Sequence, residues 1–229
     1  YVSGGFDLLP PNPSFSTEGA SFTCSWKYIA PEIPPTTSLT YTPTARVYYE
    51  YTSETIKYVN IVPRDQLLLI QNSGASMPSE TASQSRSPIM LTVETPGPIR
   101  TSQETVEFPL KVTIDNIDSG IACYPNDRDA YADMLDACKR TNLNWNKINV
   151  KITLPKNVHL VDCNTEMVID LLRGNTNSFI CAVTVNNINL DPTKVNSTTG
   201  NVFAIPVSGE YMYLLDKPTT IRVSGTQTL

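Results

Sequence analysis

The segment SFICAVTV (178–185) opens the stretch of this 229-residue chain that decides its fold. A polar loop follows it, and then three more short runs, VFAIPV (202–207), YMYLL (211–215) and TTIRV (219–223). β-Branched, aromatic and other apolar residues dominate the four runs, and turn-forming residues separate them, which is typical of strands in an antiparallel sheet. The stretch therefore predicts a series of consecutive β-strands.

The same order of features occurs once more near the start of the chain. The run SFTCSW (21–26) parallels residues 178–183, and the Tyr-x-Tyr motif at 49–51 parallels the one at 211–213. In each copy a run that begins with threonine follows the Tyr-x-Tyr motif. We interpret this pattern as a two-copy internal repeat of a β domain.

The two copies are unequal in what precedes them. Strands are predicted at 88–93, 106–114 and 150–154 before the second copy, whereas only residues 1–16 precede the first. Half a sandwich exposes an apolar face and open edges, and it is not stable alone. Three explanations stay open: the chain is an excerpt of a longer modular protein, a neighbouring subunit donates the missing strands, or the first unit is a smaller sheet packed on the second domain.

The strand pattern predicts an all-β fold built from immunoglobulin-like antiparallel β-sandwich domains. Residues 1–70 are expected to form a partial sandwich domain, and residues 88–229 a complete one. The Ser-, Gly- and Pro-rich residues 71–87 between them predict a linker or long exposed loop. Residues 127–139 predict a short helix inserted in the second domain, with acidic residues at its positive end.

The composition argues against two classes of partner. Charged residues make up only 17% of the chain and the net charge is −5, whereas a nucleic-acid interface needs clustered Lys and Arg. No apolar run approaches the roughly 20 residues that a membrane-spanning helix needs. We therefore expect neither a nucleic-acid partner nor a membrane span.

Four of the five cysteines fall in two local pairs, Cys123 with Cys138 and Cys163 with Cys181. Neither pair has the CxxC spacing and the chain has one histidine, so disulfides are favoured over a zinc site. Four cysteines allow three pairings, and the connectivity stays open. Disulfides indicate an oxidising, extracellular compartment. Cys24 belongs to neither pair. It is either a buried thiol in a strand or a residue whose partner lies outside this sequence.

Other candidate sites are few, and each has a plainer structural reading. Asp127, Asp129 and Asp133 offer carboxylates to a calcium ion, although their spacing does not match that of an EF-hand. The alternative is that they form a solvated face of the predicted helix. Asn196 begins the sequon Asn-Ser-Thr and is a candidate glycosylation site. An aromatic group predicts either a sugar-binding platform or cross-strand packing. Its members are Trp26, Tyr48, Tyr49, Tyr51 and Tyr58.

Catalytic chemistry has little support in the sequence. His159 is the sole histidine, and a catalytic triad or a histidine-based metal site needs more partners than its segment offers. No nucleophile-elbow, zinc-protease, dinucleotide-binding or P-loop motif is present. We expect no enzymatic activity and no cofactor.

The run VEFPLKVTIDNIDSG (106–120) resembles the opening of the CARDB-type and S-layer-associated β-sandwich domains of archaeal surface proteins. In these domains an alternating strand ends in an Asn-x-Gly-like turn. The segments 154–158, 179–181 and 211–223 occur in the order of the later strands of that family. The resemblance implies a secreted, often repeated module of cell-surface layers, filaments or adhesins, and it implies no catalytic residues.

These observations predict an extracellular structural protein of a cell-surface assembly, such as a filament, a pilus or an S-layer-like coat. Copies would associate with each other through open β edges, by strand complementation and sandwich packing. The alternative is an adhesin module that binds glycans or another surface protein.

Overall fold

The computed structural model describes residues 19–73, 83–97, 99–124, 138–188 and 201–225, and this part of the chain is mostly antiparallel β-structure. The helix α1 spans Arg64–Ser73. The strands are β1 (Ser38–Tyr41), β2 (Thr44–Pro63), β3 (Ser83–Gln84), β4 (Ile89–Glu94), β5 (Ile99–Thr101), β6 (Val106–Asn116), β7 (Ile121–Cys123), β8 (Lys147–Ile152), β9 (Val158–Leu160), β10 (Glu166–Asp170), β11 (Thr176–Val185), β12 (Asn201–Pro218) and β13 (Ile221–Ser224). The prediction of an all-β protein is confirmed.

The chain divides into two compact units. One comprises Tyr1–Pro43 together with Thr219–Leu229, and the other comprises Thr44–Pro218. In the first unit β1 pairs with β13 in an antiparallel ladder of four residue pairs. The backbone N–H of Gly225 extends this ladder by donating to the carbonyl of Thr37 at 3.0 Å.

The larger sheet of the second unit is organised around two long strands. Its order is β10-β8-β12-β2-β3, with β5 and β7 paired to β2 and β12 respectively. β2 and β12 pair in register from Thr44↔Pro218 to Ile61↔Asn201. The sequence pattern predicted two separate strands at 202–207 and 211–215 in place of β12, because turn-forming residues such as Gly209 separate the two runs. In the structure Gly209 lies within the ladder, because its missing side chain leaves room for Leu91 of the opposing sheet.

The smaller sheet has the order β4-β6-β11-β9. Its central pair, β6 and β11, is joined over ten residues, from Val106↔Val185 to Asp115↔Thr176. The strand predicted at 106–114 is present as β6, and the apolar residues of its alternating pattern form a buried face, since Leu110, Val112 and Ile114 are fully buried. Successive side chains of a strand point to opposite faces of the sheet, so the residues between these three point away from the core.

Both sheets contribute side chains to one hydrophobic core. Val59, Ile205 and Tyr213 come from the larger sheet, and Leu91 and Val183 from the smaller. A second, smaller cluster lies on the other face of the larger sheet, where alternation places the even-numbered residues of β12. It comprises Cys123, Cys138, Met212 and Leu214, with Tyr48, Ile121 and Trp145 packed against them.

The structure divides the chain differently from the predicted boundary at 71–87. Residues 44–63, assigned to the first domain, form a central strand of the larger sheet beside β12, so they are not half of a separate sandwich. The predicted linker begins inside α1, and Ser83–Gln84 within it pairs with β2. The helix predicted at 127–139 falls almost entirely outside the described residues.

Candidate functional site

The two Tyr-x-Tyr motifs form one aromatic cluster. Tyr51 pairs with Tyr211 and Tyr49 with Tyr213 across the β2–β12 ladder. The ring centroids are 6.1 Å apart in the first pair and 5.7 Å apart in the second. Tyr211 and Tyr213 are buried, whereas Tyr49 and Tyr51 are half-buried at the margin of the core. The cluster therefore closes one end of the core between the sheets.

The hydroxyl of Tyr211 ties the larger sheet to β4 of the smaller sheet. The Ser53 hydroxyl donates to the carbonyl of Ile89 at 2.7 Å, so at 2.8 Å it accepts the proton of the Tyr211 hydroxyl. The Ile89 N–H in turn donates to the Tyr211 oxygen at 3.2 Å. All four polar groups are satisfied in a closed ring of hydrogen bonds, as buried polar groups require.

The hydroxyl of Tyr213 holds the turn that follows β6. It donates to Oδ1 of Asn116 and accepts the N–H of Gly120, both at 2.9 Å. The Asn116 amide donates back to the carbonyl of Gly120 at 2.8 Å. A side chain on Gly120 would overlap the Tyr213 ring, so this close approach needs glycine. The sequence pattern marked the turn at residues 116–120 but not its attachment to Tyr213.

Burial controls the acidity of this cluster. It raises the pKa of Tyr211 to about 12, although the hydrogen bonds with Ser53 and Ile89 oppose the shift. Burial likewise raises the pKa of Tyr213 to about 12, with a further contribution from the negative charge of Asp118. Both phenols are therefore uncharged at neutral pH and act as hydrogen-bonding anchors.

Both predicted cysteine pairs form disulfides, Cys123–Cys138 and Cys163–Cys181, with sequence separations of 15 and 18 residues. The first lies in the small cluster on the outer face of the larger sheet. The second joins β11 to the segment that follows β9. Closing loops of this length stabilises a protein by about 3 kcal/mol.

Cys24 is an exposed free thiol, so its interpretation as a buried strand residue is wrong. It lies in residues 19–32, all of them exposed and without helix or strand; we call this segment the exposed arm. Phe22, Trp26 and Tyr28 in the arm are 49%, 54% and 66% exposed. The sequence predicted a half-buried strand from Phe22 to Trp26, whereas the structure forms no strand there.

The predicted aromatic group is not one platform. Tyr49 and Tyr51 face the core, whereas Tyr48 packs against the second cluster on the opposite face of the sheet. Tyr58 is 42% exposed, and Trp26 lies in the exposed arm. Cross-strand packing therefore accounts for the tyrosines at 49 and 51.

The remaining candidates are not brought together as a chemical site. Asn196, Asp127, Asp129 and Asp133 lie outside the described residues. His159 is exposed on β9. It lines an open cavity of about 650 Å³ whose other polar members include Lys151, Lys156, Asn164 and Glu166.

One group of potential metal ligands occurs in the described part of the chain, formed by Asp162, Cys163 and Cys181. Its two sulfur atoms are joined in a disulfide, so neither is a thiolate that could bind a metal ion. The Asp162 carboxylate accepts the backbone N–H of Ala182 at 2.6 Å. This carboxylate therefore anchors the segment that follows β9 onto β11.

Among the described residues, the structure contains no helix with the length and apolar character to cross a membrane. Comparisons with protein-family models, with curated proteins and with solved structures found no match to this chain.

Proposed function

We propose that this chain is an extracellular structural subunit or module of a cell-surface assembly, either a filament or pilus or an S-layer-like coat. Its copies are joined by β-strand complementation. One observation carries the proposal: the exposed arm has the sequence pattern of a half-buried strand but forms no strand in the described structure of the single chain.

The alternation in the arm is what a donated strand requires. In an extended conformation Phe22, Cys24, Trp26 and Tyr28 lie on one face, and the polar residues between them lie on the other. A strand added to a sheet edge gains main-chain hydrogen bonds, and its alternate side chains fill pockets of the partner. Three large aromatic residues on one face give such a strand most of its buried area.

Two further observations support an extracellular surface protein. The disulfides fit an oxidising compartment, since they rarely persist in a reducing cytosol. The two sheets around one core fit an immunoglobulin-like sandwich, which is the finer fold that we propose. The resemblance of residues 88–223 to CARDB-type and S-layer-associated domains points in the same direction.

Negative-stain electron microscopy of the purified chain tests the proposal. We expect regular filaments or sheets from the natural sequence and none from the Phe22→Ser/Trp26→Ser double variant. The matched control is Thr23→Ala/Ser25→Ala, which alters the polar face of the same segment and keeps assembly. A natural chain that stays monomeric at every concentration would overturn the proposal.

The adhesin module is the second candidate, and the exposure of Trp26 and Tyr28 favours it specifically. Exposed aromatic faces present the apolar surface and polar edge that sugar-binding sites use. A glycan array probed with the monomeric chain separates the two functions. Binding that Trp26→Ser abolishes, without any assembly of the natural chain, would assign the arm to glycan recognition.

A further inference from the structure

We propose that a cavity between α1 and β5 binds the sulfate or phosphate ester of a small organic molecule, such as a sugar. The charged ester group lies between the guanidinium groups of Arg64 and Arg100, and the carbon skeleton lies against the leucines of α1. The inference goes beyond the proposed function and does not rest on it, because one copy of the chain carries the whole site.

The pairing of β5 with β2 brings the two arginines to one place. The two strands are parallel, with Arg100 beside Val62 and Thr101 beside Pro63. Arg64 follows Pro63 directly and begins α1, so it leaves the sheet beside the end of β5. The cavity that α1 and β5 enclose there has a volume of about 320 Å³. Its lining residues are Arg64, Leu67, Leu68, Arg100, Thr101 and Ser102.

The lining carries two positive charges and no negative one. A guanidinium group stays charged in proteins, and Asp65, which follows Arg64 in sequence, is not part of the lining. Within the described part of the chain, neither arginine takes part in an ion pair. Like charges that share a site repel each other, so an anion between the two guanidinium groups is stabilised there. Such a site is unusual for this chain, whose net charge is −5.

The chemistry of arginine selects the kind of anion. Its planar guanidinium donates two parallel hydrogen bonds to an oxyanion, which a lysine amine cannot do. A phosphate or sulfate ester presents three terminal oxygen atoms, whereas a carboxylate has only two, so the ester accepts bonds from both arginines. The hydroxyl of Ser102, an exposed residue that lines the same cavity, is a further donor.

The walls of the cavity are held in place and are partly apolar. The Thr101 hydroxyl donates to the Gln103 carbonyl at 2.7 Å and accepts the Gln103 N–H at 3.0 Å, which fixes the turn that carries Ser102. Leu67 is buried and Leu68 is 50% exposed, so α1 offers an apolar surface to the ligand. Small-molecule sites have volumes of roughly 300–1,000 Å³, and this cavity falls at the lower end of that range. We therefore expect an organic ester to bind more tightly than an inorganic ion.

The larger cavity beside β9 lacks this charge pattern. Lys151 and Lys156 line it together with the carboxylate of Glu166, so its charges are partly compensated. An anion gains less there, and the cavity between α1 and β5 is the better site for an acidic ligand.

Isothermal titration calorimetry at constant ionic strength tests the inference, with glucose 6-sulfate and glucose 6-phosphate as probes. We expect both esters to bind, glucose not to bind, and inorganic sulfate and phosphate to bind more weakly than the esters. Arg64→Gln and Arg100→Gln are each expected to weaken ester binding by about tenfold or more, because each removes charge-assisted hydrogen bonds. The matched control is Arg173→Gln, which removes the same charge from an exposed turn after β10. β8 and β12 separate β10 from β2, so this control is expected to keep the affinity of the natural chain.

Thermal unfolding provides a readout that needs no variant, since a ligand that binds only the folded chain raises the unfolding midpoint. We expect glucose 6-sulfate to raise the midpoint of the natural chain and glucose to leave it unchanged.

Three results would overturn the inference. If neither ester binds, the cavity is not an oxyanion site. If Arg173→Gln weakens binding as much as the cavity variants do, the attraction comes from the general charge of the chain. If inorganic sulfate and phosphate bind as tightly as the esters, the organic part is not recognised and the assigned ligand class is wrong. Each of these results leaves the proposed function standing, because none of the measurements depends on assembly.

Discussion

Tyr51 and Tyr211 are register partners on neighbouring antiparallel strands, and their rings stack at an interplanar angle of 28°. They belong to the two segments that the sequence pattern predicted to be copies of an internal repeat. The copies do not occupy equivalent places in two domains, because β2 and β12 pair along almost their whole lengths in one sheet. The Tyr-x-Tyr motif of each copy thus finds its partner in the other copy.

The ring of hydrogen bonds at Tyr211 predicts that Tyr211→Phe lowers the free energy of unfolding by about 1–3 kcal/mol. The substitution removes the acceptor of the Ile89 N–H and the donor to Ser53, and it leaves buried polar groups without partners. Urea unfolding followed by circular dichroism measures the loss. Tyr51→Phe is the matched control, because the bond from its hydroxyl to the Arg86 carbonyl is exposed. Equal losses in the two variants would contradict the role assigned to the ring.

The raised pKa values of Tyr211 and Tyr213 predict that the fold weakens in alkali. From pH 10, the ordinary pKa of tyrosine, up to about pH 12, both residues keep their protons when folded and lose them when unfolded. The unfolded state then binds fewer protons, so this stabilisation is complete below pH 10 and is lost as the pH rises towards 12.

Urea midpoints between pH 9 and pH 12 measure this decline, in a Cys24→Ser background that prevents disulfide exchange. Replacing both tyrosines by phenylalanine is expected to flatten the decline, and Tyr58→Phe, at an exposed position, is expected to leave it unchanged. A decline of the same steepness in the double variant would assign the alkaline weakening to other groups.

The close approach of Gly120 to Tyr213 predicts that Gly120→Ala is strongly destabilising. An added methyl group would overlap the ring of Tyr213 and the carbonyl of Leu214, both in the packed interior. Overpacking of this kind costs about 1–3 kcal/mol. Gly97→Ala is the control, since no atom lies within 4 Å of the position that its methyl group would take. Thermal unfolding of the two variants compares them, and similar midpoints would contradict the prediction.

Period-two alternation accounts for what the sequence predicted well. The buried face of β6, for example, follows directly from Phe108, Leu110, Val112 and Ile114. The spacing of the cysteines favoured two local disulfide pairs while leaving the connectivity open, and both local pairs are bonded in the structure. Patterns of this kind are local, so tertiary packing does not need to be known to recognise them.

The failures concern elements whose state depends on residues far away in sequence. The apolar run from Leu67 to Ile70 lies in α1, and four apolar residues in a row do not by themselves separate helix from strand. Asp65 in the first turn was the local signal for a helix. Gly209 looked like a turn because the packing of Leu91 against it is not visible in the local sequence.

The disulfide between Cys163 and Cys181 is expected to stabilise the fold. Replacing both residues by alanine is expected to lower the free energy of unfolding by about 3 kcal/mol, because the 18-residue loop is then free in the unfolded chain. Alanine is chosen because Cys181 is fully buried and a serine hydroxyl there would add a separate cost. Urea unfolding under non-reducing conditions gives the value, and Cys24→Ser, which removes the exposed thiol, is the control expected to change nothing. If the double-alanine variant unfolds at the same urea concentration as the natural chain, the disulfide does not restrict the conformational freedom of the unfolded chain. In that case the rest of the sheet already holds β11 in place.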